Sequence, residues 1–237
     1  WQNPREFFEY TYKQSLNFNR WTGFVLYQGE IYNNSVHPLP WHYIPVMIAI
    51  TTPIITVLLI AFGAFDSVIG IFRKKIKTFL DGDRKYYLLM LIFVIVPLVT
   101  SIVKKSNVYN GWRHFYFVFG PMIVLAVGGV KTLMEIKKPK VAKIIAVVIC
   151  AQLVFSGGWI VLHSGLQFSY YNVLAFNCEK DYEQDYWNVS AEKCLEMLVD
   201  NAPKGEIVKV SAIDFAAMDG LRKGALMLPE KYAKRVK

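Results

Sequence analysis

The residues best suited to chemistry lie in one short loop, residues 104–114, between two apolar runs. The loop carries Lys104, Lys105 and Arg113, contains no acidic residue, and ends on His114. A guanidinium can grip a phosphate with two parallel hydrogen bonds, and a neighbouring histidine can act as a second donor. Arg113 and His114 are therefore candidates for an anion site. For Lys104 and Lys105 a simpler explanation is favoured, in which long basic side chains at a helix end extend toward polar surroundings.

A second group, Trp41, His42 and Tyr43, stands at the start of an apolar run in which no charge appears until Asp66. Side chains with an aromatic body and a polar tip collect where hydrocarbon meets water. Two interpretations stay open for these three residues. They line the same cavity as Arg113, or they anchor the following helix at the boundary of the apolar layer.

Other chemistries find no support in the sequence. It contains none of the short motifs typical of nucleotide, serine-hydrolase, zinc-protease or thiol-redox sites. The four histidines, His37, His42, His114 and His163, lack the spacing of metal ligands. Asp81-Gly-Asp83 has the form of a metal-binding DxD motif, but it lies among six basic residues and is interpreted as a solvated turn. We predict no metal and no cofactor, and the catalytic residue stays unassigned.

Four uncharged runs must position these residues. A bilayer core needs about 20 largely apolar residues in helical form, and 54% of the 237 residues are hydrophobic. The runs predict a mainly α, polytopic membrane protein with four transmembrane helices, the first and second kinked at Pro53 and Pro97. The predicted spans are Tyr43–Phe65, Tyr86–Val103, Phe115–Val130 and Ile144–Leu162.

The distribution of charge predicts the orientation in the membrane. The segments 66–85 and 131–143 together hold eleven basic and four acidic residues, which is +7 of the net charge of +9. Short loops rich in Lys and Arg stay in the cytoplasm, so a nucleic-acid partner is not needed to explain the net charge. Residues 1–42, the loop 104–114 and the tail after Leu162 are then outside. The predicted location is the plasma membrane, or the endoplasmic reticulum membrane if the protein is eukaryotic.

Three domains follow from this division. Residues 1–42 form an outer aromatic loop with a short helix over Pro4–Leu16, residues 43–162 form the four-helix membrane region, and residues 163–237 form an interfacial stretch and a partial outer α/β domain. Since the chain begins within an aromatic segment rather than with Met, we expect it to be a piece of a longer protein.

The tail supplies the signals for the α/β domain. Apolar residues in Ala191–Asn201 follow the stripe of an amphipathic helix, with Ser190 as its N-cap. Ile207–Ala212 alternates like a strand, and Asp214–Leu221 is compatible with a second helix. Cys178 and Cys194 both lie in this outer tail, where a disulfide is permitted, and their spacing alone does not decide whether they pair.

Three stretches together resemble a known family. They are Pro40-Trp-His-Tyr-Ile-Pro45 before Ile50-Thr-Thr-Pro53, Trp112-Arg-His-Phe-Tyr-Phe117 before Gly120-Pro121, and Asp185–Leu195 after Tyr170-Tyr-Asn172. In order and spacing they resemble the C-terminal half of GT-C membrane glycosyltransferases of the protein O-mannosyltransferase and ArnT-like group. The resemblance covers most of the chain.

The resemblance implies an enzyme that takes one sugar from a polyprenyl-phosphate-linked donor. The sugar passes with inversion, on the outer side of the membrane, to a protein or glycolipid acceptor. In that family the catalytic acid lies in the first outer loop, which we expect to precede this chain. Arg113, His114, Trp41, His42 and Tyr43 are the residues expected to bind substrate. The alternative is a transporter or a non-catalytic membrane subunit, although transporters tend to show charges or broken helices at mid-membrane.

Overall fold

A computed structural model describes residues 3–16, 23–33, 36–73, 82, 84–135, 139–212 and 215–237. The chain is mainly helical, with one small two-stranded sheet in the described part. It divides into two compact units, which are described separately below. The first unit comprises residues 1–158 and 171–183, and the second comprises residues 159–170 and 184–237. The Asp81-Gly-Asp83 turn has its two aspartates outside the described residues.

The helices of the first unit begin with α1 (Pro4–Leu16), α2 (Tyr43–Thr51), α3 (Ile54–Arg73) and α4 (Arg84–Val103). A 3-10 helix (Arg113–Val118) then leads into α5 (Phe119–Met134), which is followed by α6 (Pro139–Leu162) and the short α7 (Cys178–Asp181). The helix over Pro4–Leu16 was predicted with these bounds and is confirmed.

Three helical stretches are long and apolar enough to cross a membrane: α4, the segment Arg113–Met134, and α6. They correspond to the second, third and fourth predicted spans, and they make this a membrane protein in the coarse sense that the sequence indicated. The first predicted span differs. Tyr43–Phe65 was expected to be one kinked helix, but the structure divides this run between α2 and α3. The prediction of four spans is therefore not confirmed.

The division falls at Pro53, and Asn172 explains why the chain tolerates it. Pro53 has no N–H to donate to the carbonyl of Ala49, four residues earlier. The Asn172 side-chain amide donates to that carbonyl instead, at 2.6 Å, and also to the Thr52 carbonyl at 2.6 Å. Its backbone N–H donates to the Ile50 carbonyl at 2.7 Å. One buried asparagine thus donates hydrogen bonds to the carbonyl groups at the C-terminal end of α2, so these groups are satisfied although the helix stops there.

Helix α3 packs closely on α5 through glycines. A Cβ added at Gly63 would lie 2.0 Å from the Leu125 carbonyl oxygen, and one at Gly129 would lie 2.5 Å from the Leu59 carbonyl oxygen. Small residues at such contacts let two membrane helices approach backbone to backbone.

Helix α3 continues beyond Phe65 to Arg73. Asp66 is therefore a helical residue. Its carboxylate accepts two hydrogen bonds from Arg84 at 3.0 and 3.3 Å, and one from the Thr132 hydroxyl at 3.1 Å. This half-buried ion pair joins α3, α4 and α5 at one end of the helix group.

Residues 24–33 form a β-hairpin that the sequence did not predict. β1 (Phe24–Tyr27) pairs antiparallel with β2 (Glu30–Asn33). Gln28 and Gly29 form the two-residue turn with φ of +52° and +79°, as a type I′ hairpin turn requires. Tyr27 is fully buried and also forms an isolated bridge with Tyr182. The hairpin is thus held by a contact 155 residues away along the chain, which no local pattern could reveal.

The second unit contains α8 (Ser190–Asn201), α9 (Phe215–Met227) and α10 (Glu230–Ala233). The amphipathic helix is confirmed, with Ala191, Leu195 and Val199 buried. Ser190 was predicted as its N-cap, but Ser190 is the first helical residue, and Asp185 accepts hydrogen bonds from the N–H groups of Val189 and Ser190 at 2.9 Å.

The predicted strand Ile207–Ala212 is wrong. In its place Val208 forms an isolated parallel bridge with Val236 near the C-terminus, and α9 covers most of the predicted second helix, whose Asp214 lies outside the described residues. The described part of the second unit thus contains helices and this single bridge in place of the predicted strand. Cys178 and Cys194 do not form a disulfide with each other.

Candidate functional site

The structure joins the two stretches that the sequence nominated separately. The N–H of Gly111 donates to the Tyr43 hydroxyl at 2.8 Å, and the indole N–H of Trp112 donates to the Thr51 hydroxyl at 2.8 Å. Tyr43 and Trp112 are both buried. The loop after α4 is thereby held against both the first and the last residue of α2, so that the nominated residues belong to one region of the first unit.

A cavity of about 260 Å³ opens between these stretches. One wall is the proline-bounded approach to α2, and the other is the end of α4 with the loop that follows it. Its lining residues are Pro38, Leu39, Pro40, Trp41, Tyr43, Ile44, Ser101, Ile102, Lys105, Ser106 and Val108. Trp41 and Tyr43 were predicted site residues, and both line the cavity. Trp41 remains 70% exposed, which fits either a cavity wall or an interfacial anchor.

Lys105 is the charged residue of this lining, and its backbone is unusual. The helix α4 ends in a Schellman arrangement, in which the Lys105 N–H donates to the Ile102 carbonyl at 3.1 Å and the Ser106 N–H donates to the Ser101 carbonyl at 3.0 Å. Lys105 occupies the left-handed position of that motif with φ of +48°. Glycine is the usual residue there, because a Cβ is disfavoured in this conformation. Sequence reasoning favoured an anchoring role for Lys105 and did not place it in a cavity.

Arg113 and His114 lie together on Tyr109 and do not line the cavity. The Arg113 guanidinium stands 4.4 Å from the centre of the Tyr109 ring, and the His114 ring stands 4.2 Å from it. The N–H of Tyr109 reaches His114 Nδ1 at 3.4 Å, which favours the neutral tautomer with its hydrogen on Nε2. Stacking engages the face of the guanidinium, whereas its N–H donors lie in the plane of the group and point outward from its edge.

His42, the remaining predicted site residue, packs in an aromatic cluster. Its Nδ1 lies 2.6 Å from the Tyr27 hydroxyl, and the two rings are 5.6 Å apart. Burial raises the pKa of Tyr27 to about 12, helped by the neighbouring Tyr182. Tyr27 is therefore protonated at neutral pH and can donate to His42. This hydrogen bond orients the imidazole, and it gives His42 a structural role that the sequence did not show.

One acidic side chain reaches this region from a distant part of the chain. The carboxylate of Glu183 accepts a hydrogen bond from the side-chain amide of Asn110, and the Glu183 carbonyl accepts one from the Tyr171 hydroxyl at 2.9 Å. Sequence reasoning missed Glu183, because nothing in its local pattern separates it from the other acids of the tail.

Within the described residues, no group of three or more His, Cys, Asp or Glu side chains is placed to hold a metal ion. The chain matches no protein-family model, no curated protein and no solved structure. The chemistry must therefore be argued from the site itself, which combines a small cavity, a lysine at its rim and a stacked Arg–His pair in the same loop.

Proposed function

We propose that this chain is the C-terminal part of an integral-membrane glycosyltransferase. It moves a sugar from a polyprenyl-phosphate-linked donor to a protein or glycolipid acceptor on the outer side of the membrane. Arg113 binds the donor phosphate, and His114 assists as a second donor. The catalytic carboxylate comes from a part of the protein upstream of this chain, as the family resemblance implies.

The observation that carries the proposal is the hydrogen bond between Gly111 and Tyr43. It joins the start of α2 to the loop that contains Arg113, 68 residues further along the chain, and both stretches contribute to the family resemblance. A membrane-embedded chain that collects three basic side chains, exposed aromatics and a cavity at the end of its apolar helices is suited to a lipid-borne anion.

A transporter is less well supported. Transporters use the carbonyls of broken membrane helices to coordinate ions, and the break at Pro53 offers such carbonyls. In this chain Asn172 already donates to the carbonyls of Ala49, Ile50 and Thr52. The broken helix is therefore capped by protein and is a poor ion site.

The test is sugar transfer by the complete membrane protein as a function of donor concentration. Loss of a charge-assisted hydrogen bond costs about 1.5–3 kcal/mol, which is roughly ten- to a hundred-fold in apparent donor affinity. We expect Arg113→Ala to lose this much. Arg113→Lys should lose part of it, because an ammonium keeps the charge but cannot form the paired hydrogen bonds of a guanidinium.

A matched control is Arg222→Ala, which removes an exposed arginine of α9 in the second unit. It should leave the donor dependence unchanged. Membrane insertion is measured separately for every variant. If Arg113→Ala inserts normally and shows the donor dependence of the unmodified protein, Arg113 serves only as an anchor and the proposed site fails.

A further inference from the structure

The uncharged part of the chain around α6 is longer than a single membrane span requires. No Asp, Glu, Lys or Arg occurs between Lys143 and Glu179, whereas a spanning helix needs only about 20 residues. Helix α6 ends at Leu162, so the uncharged segment continues beyond it through residues 163–178. Residues 172–176 of this remainder belong to the first unit and are called the apolar turn below.

The apolar turn exposes large apolar side chains. Phe176 is 90% exposed and Val173 is 73% exposed, and Leu174 is also exposed. Asn172 and Ala175, by contrast, are buried against the rest of the first unit. Exposed apolar side chains that cluster in this way mark a surface that contacts a membrane or another protein.

The apolar turn is fixed to the break between α2 and α3. Asn172 donates three hydrogen bonds to the carbonyl groups at the end of α2. Within the turn, the Leu174 N–H donates to Asn172 Oδ1 at 2.9 Å and the Ala175 N–H donates to the Asn172 carbonyl at 3.1 Å. Non-helical backbone is tolerated at membrane depth only where protein satisfies its polar groups, and these hydrogen bonds meet that condition for the groups that they join.

The lengths of two helices give the depth of this break in the bilayer. Helix α4, Arg84–Val103, rises about 30 Å, which equals the thickness of a hydrocarbon core. Asp66 of α3 accepts hydrogen bonds from Arg84, so it marks the same end of α4. From Asp66 back to Ile54, where α3 begins, the helix rises only about 18 Å. The break therefore lies roughly 10 Å short of the Val103 end of α4.

We propose that the apolar turn inserts into the lipid leaflet at the Val103 end of α4. Val173, Leu174 and Phe176 contact the acyl chains there, and Asn172 holds the turn at that depth. The partner is lipid because the turn is bonded to a helix break that lies below the end of a membrane-spanning helix. The amino-acid sequence predicted only an interfacial stretch after Leu162, without the segment that inserts or the residue that holds it.

The next charges along the chain limit how deep the turn can go. Glu179 and Lys180 follow Phe176 within four residues, and both are exposed. Charged side chains remain close to the polar headgroups, because their transfer into hydrocarbon is costly. The insertion is therefore confined to the part of the leaflet nearest the headgroups. This inference does not depend on the proposed enzymatic activity.

The experiment measures the depth of a nitroxide attached at Phe176→Cys in the whole chain, reconstituted in phosphatidylcholine vesicles. The native cysteines are first removed as Cys150→Ala, Cys178→Ala and Cys194→Ala. Collisions of the nitroxide with oxygen, which concentrates in hydrocarbon, are compared with collisions with a nickel chelate, which stays in water. Labels at Val96→Cys and Val103→Cys, two exposed positions of α4, are the matched controls and supply the depth scale.

We expect the label at Phe176→Cys to give a ratio of oxygen to nickel collisions between those of the two α4 labels. A nickel collision rate above that of the Val103→Cys label would place the turn in water and overturn the proposal. Protection from both reagents would mean that protein covers the turn, which overturns it as well. A label at Val173→Cys repeats the measurement at a second exposed position, and the same two outcomes there contradict the proposal.

Discussion

Replacement of Asn172 by alanine should destabilise the break between α2 and α3, the two helices of the first apolar run. The Asn172 side chain donates to the carbonyls of Ala49 and Thr52 and accepts from the N–H of Leu174 at 2.9 Å. The asparagine is buried, so water cannot easily replace it. Pro53 offers no alternative donor for the Ala49 carbonyl, because proline has no N–H.

The expected magnitude follows from these three side-chain hydrogen bonds. Each contributes about 1 kcal/mol net, so Asn172→Ala should destabilise the protein by about 3 kcal/mol. In a chain of this size that corresponds to a fall of roughly 6–12 °C in melting temperature. Asn172→Asp should lose at least as much, since a carboxylate keeps the volume but cannot donate to either carbonyl.

The assay is thermal unfolding of the purified chain in detergent, followed by circular dichroism. Asn177→Ala is the matched control, because Asn177 is exposed and its side chain makes no capping hydrogen bond to α7. It should melt close to the unmodified chain. If Asn172→Ala melts no lower than Asn177→Ala, the amide does not hold the break between α2 and α3 and the reasoning is refuted.

Two more predictions concern packing and pH. Gly129→Ala places a methyl group 2.5 Å from the Leu59 carbonyl oxygen, so α3 and α5 must move apart at a cost of about 1–3 kcal/mol. In the control, Gly120→Ala, the added methyl group meets nothing within 4 Å. That variant should gain up to about 1 kcal/mol of stability from helix propensity. Equal melting temperatures would contradict the close approach. Burial raises the pKa of Tyr27 from 10.0 to about 12, so between these pH values the unfolded chain releases this proton first and stability falls as pH rises. Tyr27→Phe should lose its hydrogen bond to His42 at neutral pH and show a shallower fall in melting temperature across that alkaline range; an unchanged slope would refute the assignment.

The helices that the sequence predicts correctly are those that depend on the pattern of neighbouring residues. The uncharged runs Tyr86–Val103 and Ile144–Leu162 became helices over Arg84–Val103 and Pro139–Leu162, because a long apolar segment satisfies its backbone polar groups only within a helix when it lies in lipid. The stripe of Ala191–Asn201 likewise predicted a helix that buries Ala191, Leu195 and Val199, although Cys194 and Leu198 of the same stripe are exposed. For the site, the sequence nominated the basic loop and the aromatics of residues 41–43, since the types of residue alone indicate an affinity for anions and interfaces.

The remaining features depend on partners that lie far away along the chain. Asn172, 120 residues beyond Thr52, allows the first apolar run to become two helices. Tyr182 contacts the hairpin of residues 24–33, whose strands show no alternation of apolar and polar residues that would predict them. The segment Ile207–Ala212 alternates as a strand should, yet it forms no strand, because a strand is stabilised by its neighbours rather than by its own sequence. Local pattern therefore determined where the long helices of this protein form. Tertiary contacts decided where the first apolar run breaks, which strands pair and which lysine lines a cavity. The reason is that hydrogen bonds and burial between distant residues leave no trace in the local order of amino acids.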